Sequence, residues 1–186
     1  MPNLLFHNQR GTGFADVTSA AGVGHLQKGH GVAFADLDND GDQDLFMTMG
    51  GSFPGDAFQN VLFENPGFGN HWIGIRFLGK ESNRFGVGAR IRAEITEGGK
   101  KRSVYKWVNS GGSFGASPLR PRIGLGKAET IDVLEIYWPT SDTLQRFENV
   151  AADRWIEVIE GETEFRVLPW RHTPFKVSQT PGHAGQ

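Results

Sequence analysis

The sequence predicts an all-β chain, and three observations carry that prediction. Residues 71–78 (HWIGIRFL) set Ile73, Ile75 and Phe77 against Trp72, Gly74 and Arg76, and residues 88–95 (GARIRAEI) set Ala89, Ile91, Ala93 and Ile95 against Arg90, Arg92 and Glu94. A period of two marks half-buried antiparallel strands. No helical period extends beyond about two turns. Finally, 26 Gly and 9 Pro among 186 residues supply the turns that many short strands need.

Composition bounds the rest. A hydrophobic content of 38%, with 14 Phe and 5 Trp, suits a globular chain able to bury a core, as one domain or two small ones. No apolar run approaches the roughly 18–20 residues that span a membrane, so no transmembrane segment is expected. The start, MPNLLFHNQR, has neither a basic n-region nor an apolar h-region, so the chain is read as cytosolic or as lacking its signal. The absence of Cys excludes disulfides and thiol catalysis. The net charge of −2 is unevenly spread: −6 over residues 1–69, +9 over 70–128 and −5 over 129–186.

In chain order, residues 4–8 read as a short strand, 11–13 as a turn, 14–18 as a second strand and 19–23 as a turn or one helical turn. Strands follow at 31–35 and 45–49, then a loop at 50–56. Leu5-Phe6-His7-Asn8 returns as Leu62-Phe63-Glu64-Asn65, a Leu-Phe-x-Asn repeat at a spacing of 57. A fixed period of this size in short strands suggests propeller blades.

Between the strands 31–35 and 45–49 lies the chain's densest chemistry. Asp36, Asp38, Asp40, Gly41 and Asp44 follow the pattern Asp-x-Asp-x-Asp-Gly-x-x-Asp. Carboxylates crowded in this way need something positive among them. Ca²⁺ takes roughly 6–8 oxygen ligands at about 2.3–2.6 Å. Asp36, Asp38 and Asp40 can converge from one side, Gly41 permits the sharp turn, the Asp42 carbonyl stands at loop position 7, and Asp44 at position 9 completes the set. An EF-hand would place Glu at position 12, where this chain has Met47 in an apolar run, so the loop is read as a calcium loop between strands. An Asp-x-Asp phosphohydrolase nucleophile also follows an apolar strand. It would want a small hydroxyl or apolar residue at Asp40 and a helical crossover, which does not follow. His25 and His30 could approach the loop.

The segment LFHNQRGTGFADVTSAAGV followed by GVAFADLDNDGDQDLF resembles one FG-GAP/VCBS repeat, the calcium-loop blade of extracellular β-propellers, over residues 4–67. That resemblance implies Asp36, Asp38, Asp40, Asp42 and Asp44 as the calcium set. The segments NHWIGIRFLG, SNRFGVGARI, SGGSF, PRIGLG and DVLEIYWP…LQRFENV resemble the ASPIC/UnbV domain over residues 70–160. In proteins similar to cartilage acidic protein that domain follows such repeats. The expected organisation is therefore a single propeller-blade-like calcium-loop repeat (1–69) packed on an antiparallel β-sandwich-like domain (70–160). An edge strand and extended tail (161–186) follow. Residues 144–147 and 155–159 are expected as the last strand pair, joined by 148–154. A lone blade leaves edges uncovered and must pack on the rest of the chain or on another copy.

The twelve Lys and Arg of the middle segment include Arg76, Arg90 and Arg92, which alternation would place on one sheet face. That face is either solvated and paired with the acids of 129–160, or a surface for an acidic polymer such as an anionic glycan. It could also attract the acidic part of a neighbouring copy. Nucleic acid is disfavoured, because neither a familiar fold nor a stacking pattern accompanies the charge. Trp170 and Phe175 read equally as docking anchors or as packed on the chain's own sandwich. The expected function is a non-enzymatic, calcium-binding structural and interaction module, extracellular or periplasmic, acting as a homo-oligomer or a subunit of a larger complex. A glycan-binding module and a metal-dependent hydrolase are the alternatives.

Overall fold

A computed structural model describes residues 3–175, apart from 10, 52, 57, 110, 113 and 117. Ser110 and Ser113 of the SGGS loop, Ser52 of the 50–56 loop and the expected tail beyond residue 175 thus lie outside the described residues. The described chain contains strands and no helix. The first five strands are β1 (Phe6–Asn8), β2 (Phe14–Asp16), β3 (Gly29–Ala35), β4 (Asp44–Met49) and β5 (Val61–Phe63). β1 and β2 form a hairpin, and β3, β4 and β5 an antiparallel sheet in the order β3-β4-β5. Their shared core is small: Val23, Leu45, Met47 and Met49 are buried, with Leu5, Val61 and Phe63 packed against them. Four buried side chains are too few to hold a unit of this size alone.

The remaining strands make the sandwich: β6 (His71–Leu78), β7 (Arg90–Glu97), β8 (Lys100–Trp107), β9 (Arg122–Gly126), β10 (Thr130–Trp138), β11 (Thr143–Ala151), β12 (Arg154–Ile159) and β13 (Arg166–Leu168). One sheet runs β11-β10-β7-β8 and the other β13-β12-β6-β9. Their inner faces share a core that includes Ile73, Ile75, Ile91, Ile95, Leu134, Ile136, Ile156 and Val158, and Phe77 of one sheet meets Trp138 of the other edge-on at 5.5 Å. The alternation of 88–95 holds, with Ile91, Ala93 and Ile95 inward.

Three expectations are corrected. Residues 144–147 and 155–159 do not pair with each other. β11 returns on β10, whereas β12 crosses to the other sheet, lying parallel to β6 and antiparallel to β13. The cause is a two-residue corner. Asp153 takes a positive φ of 56°, the Ala152 N–H donates to the Glu129 carbonyl, and the Asp153 N–H to that of Trp72, so the corner is fastened to both sheets. That parallel pair makes the second sheet mixed. Next, β6 does not alternate in burial, because Trp72, Ile73, Gly74 and Ile75 are all buried. Its outer face is covered too; a Cβ on Gly74 would stand 2.4 Å from the Trp155 ring. Finally, Arg76 does not share a face with Arg90 and Arg92. It sits on β6 and the other two on β7, in opposite sheets. Arg76 pairs with Glu157, Arg92 bridges Glu94 and Glu135, and the Arg90 guanidinium lies 5.7 Å from the centre of the Tyr137 ring. Of the middle segment's cations, Arg76, Lys80 and Arg92 pair with acids of the chain's last part, and Lys101 and Arg102 with Glu94 and Glu97 of the segment itself.

Candidate metal centre

The acidic loop joins β3 to β4 and lies against the outer face of β6 and β9. Gly41, at φ 111°, approaches Trp72 so closely that a Cβ there would fall 2.5 Å from the indole nitrogen. The loop is wrapped by its own backbone. The Asp40 N–H donates to Asp36 Oδ1 and Asp38 Oδ1, both at 3.1 Å, the Gly41 N–H to Asp36 Oδ2 at 3.2 Å, and the Asp42 N–H to Asp40 Oδ1 at 2.8 Å. These bonds turn the side chains inward, and Asn39 takes a φ of 58° to let them do so.

One carboxylate oxygen each of Asp36, Asp38 and Asp40 comes within 4.8 Å of the others. All three are hard oxygen donors, and Asp38 is only 2% exposed. This donor set fits a hard divalent cation. The other two predicted residues stand apart from that cluster. Asp44, 1% exposed, receives the Leu37 N–H on Oδ2 and the Asn65 N–H on Oδ1, both at 3.0 Å, so it ties the loop to the chain after β5. Asp42 directs its carboxylate toward Gly67. Burial and the neighbouring Asp40 charge push its carboxyl above the ordinary range. Neither His25 nor His30 joins the cluster.

The sequence reading missed two participants. The first is Arg122, the opening residue of β9, whose guanidinium enters the loop and pairs with Asp36; both side chains are 4% exposed. Its flat face lies 3.8 Å from the Trp72 ring centre and 5.2 Å from that of Trp155. Burial pushes Asp36 up and Arg122 down, and each charge opposes the other's displacement. In the sequence Arg122 is one of the twelve basic residues of the middle segment, and its one signal there is the need for a positive charge among the carboxylates.

The second is the segment after β13. Trp170 packs on Trp72 with ring centres 5.5 Å apart, His172 Nε2 lies 3.4 Å from Asp38 Oδ2, and the Thr173 N–H donates to the Asp38 carbonyl. Of the two readings of Trp170, packing on the chain's own sandwich is the one observed.

Fold and site together define an all-β protein in which a sandwich carries, on its outer face, a small sheet unit with an oxygen-rich loop. Residues 79–165 match the family model described as ASPIC and UnbV. That match falls within the sandwich, from the turn after β6 to the residue before β13. No curated protein matches the chain. Among the described residues, no helix is long and apolar enough to cross a membrane.

Proposed function

We propose that the protein is a non-enzymatic calcium-binding module serving structure and interaction, as a subunit of an assembly or of a larger complex. On this reading residues 4–67 are one FG-GAP/VCBS-type repeat, in an order similar to that of cartilage acidic protein-like proteins, working outside the cell or in the periplasm. The observation that carries it is the convergence of Asp36, Asp38 and Asp40 to within 4.8 Å on a loop that offers oxygen donors alone. Arg122 supplies one positive charge against five carboxylates, which leaves a surplus for a divalent ion to balance. The bound ion would supply that charge and pin the turn between β3 and β4; the loop's own N–H groups hold the carboxylates in place for it. Calorimetric titration of chelator-treated protein with Ca²⁺ tests this. Uptake by the wild type that disappears with Asp38→Ala plus Asp40→Ala is expected. No uptake, or equal uptake by both, overturns the reading.

A second reading, binding of an anionic glycan or other acidic polymer, is favoured by a groove unlike the face the sequence suggested. Arg76, Arg120 and Arg171 line a cavity of about 440 Å³ together with Trp155 and Trp170. Guanidinium groups beside indole faces suit a sugar ring bearing a carboxylate or sulfate. A glycan array probed with the wild type and with Arg120→Ala plus Arg171→Ala separates the two readings: retention that depends on both arginines supports the second.

A further inference from the structure

Arg122 has an edge that the acidic loop does not use. Its Nη1 meets Asp36, but among the described residues its Nε and Nη2 find no hydrogen-bond acceptor, although the side chain is only 4% exposed. Nε–H and Nη2–H leave one edge of the guanidinium as a parallel pair, the fork that takes two oxygens of a carboxylate or phosphate group. A buried charged donor left without a partner forfeits its hydration and gains nothing in return.

The surroundings of that fork fit an anion. β8 and β9 are edge strands of the two sheets, and the described residues of 108–121 run between them without forming a strand. A cavity of about 220 Å³ opens there, lined by Arg122, Trp155 and the last two residues of β8, Lys106 and Trp107. Asn109 and Arg120 border it as well. Asn109 Oδ1 already takes the Gly111 N–H at 3.0 Å, so the carboxamide has its amide donors left to offer. Among the described residues neither Lys106 nor Arg120 is ion-paired. The lining sets three cations against one acid, Asp36, which Arg122 already holds. Two positive charges are thus in surplus beside two indole rings, in a space smaller than the roughly 300–1,000 Å³ of a drug-sized site.

We propose that this cavity binds a small organic dianion, a phosphomonoester with a flat apolar body. The Arg122 fork takes two phosphate oxygens, Lys106 and Arg120 supply the remaining charge, and the body lies against the indoles. The cavity adjoins the groove of the glycan reading and shares Arg120 and Trp155 with it, but the proposal rests neither on that reading nor on metal uptake.

Phenyl phosphate is the probe, titrated calorimetrically into the intact, metal-stripped protein, with the Arg122 Nε–H resonance followed by nuclear magnetic resonance. Saturable binding that shifts this resonance downfield is expected. Benzoate, one charge short, and inorganic phosphate, without the ring, should each bind more weakly. Arg122→Met also strips Asp36 of its counter-charge, so Lys106→Ala carries the test. It should weaken binding about tenfold, the usual effect of one lost charge-assisted hydrogen bond. Arg171→Ala, which alters only the neighbouring groove, should leave binding unchanged. The proposal is overturned by no binding, by an unmoved Arg122 resonance, by benzoate or inorganic phosphate matching phenyl phosphate, or by equal affinity of Lys106→Ala and the wild type. Loss of binding in Arg171→Ala also overturns it, because the ligand would then sit in the neighbouring groove.

Discussion

Replacing Glu160 with glutamine should cost the fold about 3 kcal/mol at neutral pH, and nearly nothing in strong acid. Glu160 follows β12 and is 3% exposed. Its Oε2 receives the N–H groups of Lys80, Glu81 and Ser82 at 2.7, 2.8 and 2.8 Å, and its Oε1 the hydroxyls of Ser82 and Ser141 at 2.6 and 2.7 Å. Burial alone would raise this carboxyl. The five donors overrule it and hold the carboxyl at about 2, against an ordinary 4.5. At about 1.4 kcal/mol per pH unit, that gap is worth about 3 kcal/mol of stability. The depressed value fixes the sign: the contribution is complete above pH 4.5 and is lost as pH falls toward 2. Glutamine keeps one acceptor oxygen and turns an amide donor toward groups that are themselves donors. Urea unfolding across this range should show the wild type descending steeply and Glu160→Gln descending less, the two meeting at the acid end. Parallel descent of the two proteins, or a neutral-pH cost under about 1 kcal/mol, would refute the assignment of the loop's anchorage to this carboxylate.

Three further outcomes follow from contacts of the site and core. Gly74→Ala drives a methyl into the Trp155 ring and should cost about 1–3 kcal/mol in thermal unfolding, with an altered near-ultraviolet indole spectrum. Arg122→Met leaves the Asp36 carboxylate buried without its counter-charge. The cost should be about 3–5 kcal/mol in chelator, and added Ca²⁺ should restore more stability to the variant than to the wild type. Trp138→Phe removes a fully buried indole whose nitrogen donates to Gln145 Oε1, and should cost about 1–3 kcal/mol by denaturant unfolding.

Much of this was legible in the sequence for local reasons. The strand at 71–78 matches the observed β6 to the residue, because it is a short β-rich run closed by turn residues. The crowding of Asp36, Asp38 and Asp40 was legible because loop spacing alone brings neighbours together. What could not be read were relations across long stretches of chain. Nothing in TLQRFENVA announces that its successor will leave the sheet, since that depends on a corner at Ala152 and Asp153 whose hydrogen-bond partners lie in other strands. Trp72 looked like an outward residue of an alternating strand, because alternation assumes one wet face and the acidic loop dries the other. Arg122 and Asp36 meet only after the sandwich and the small sheet have both formed. The same holds for Arg76, which alternation ranked with Arg90 and Arg92 although it belongs to the opposite sheet.

The parallel pairing of β6 with β12 carries a consequence for how the protein is made. The bonds that lock this register join His71 to Asp153 and Arg76 to Glu157, 82 and 81 residues apart. During synthesis, β6, with Ile73 and Ile75 destined for complete burial, must therefore wait for the rest of the sandwich to be translated. Contacts this distant slow folding and prolong the exposure of sticky strand edges. Chains truncated before Arg154 should collect as aggregates, and full-length chains should gain sandwich protection late and all at once.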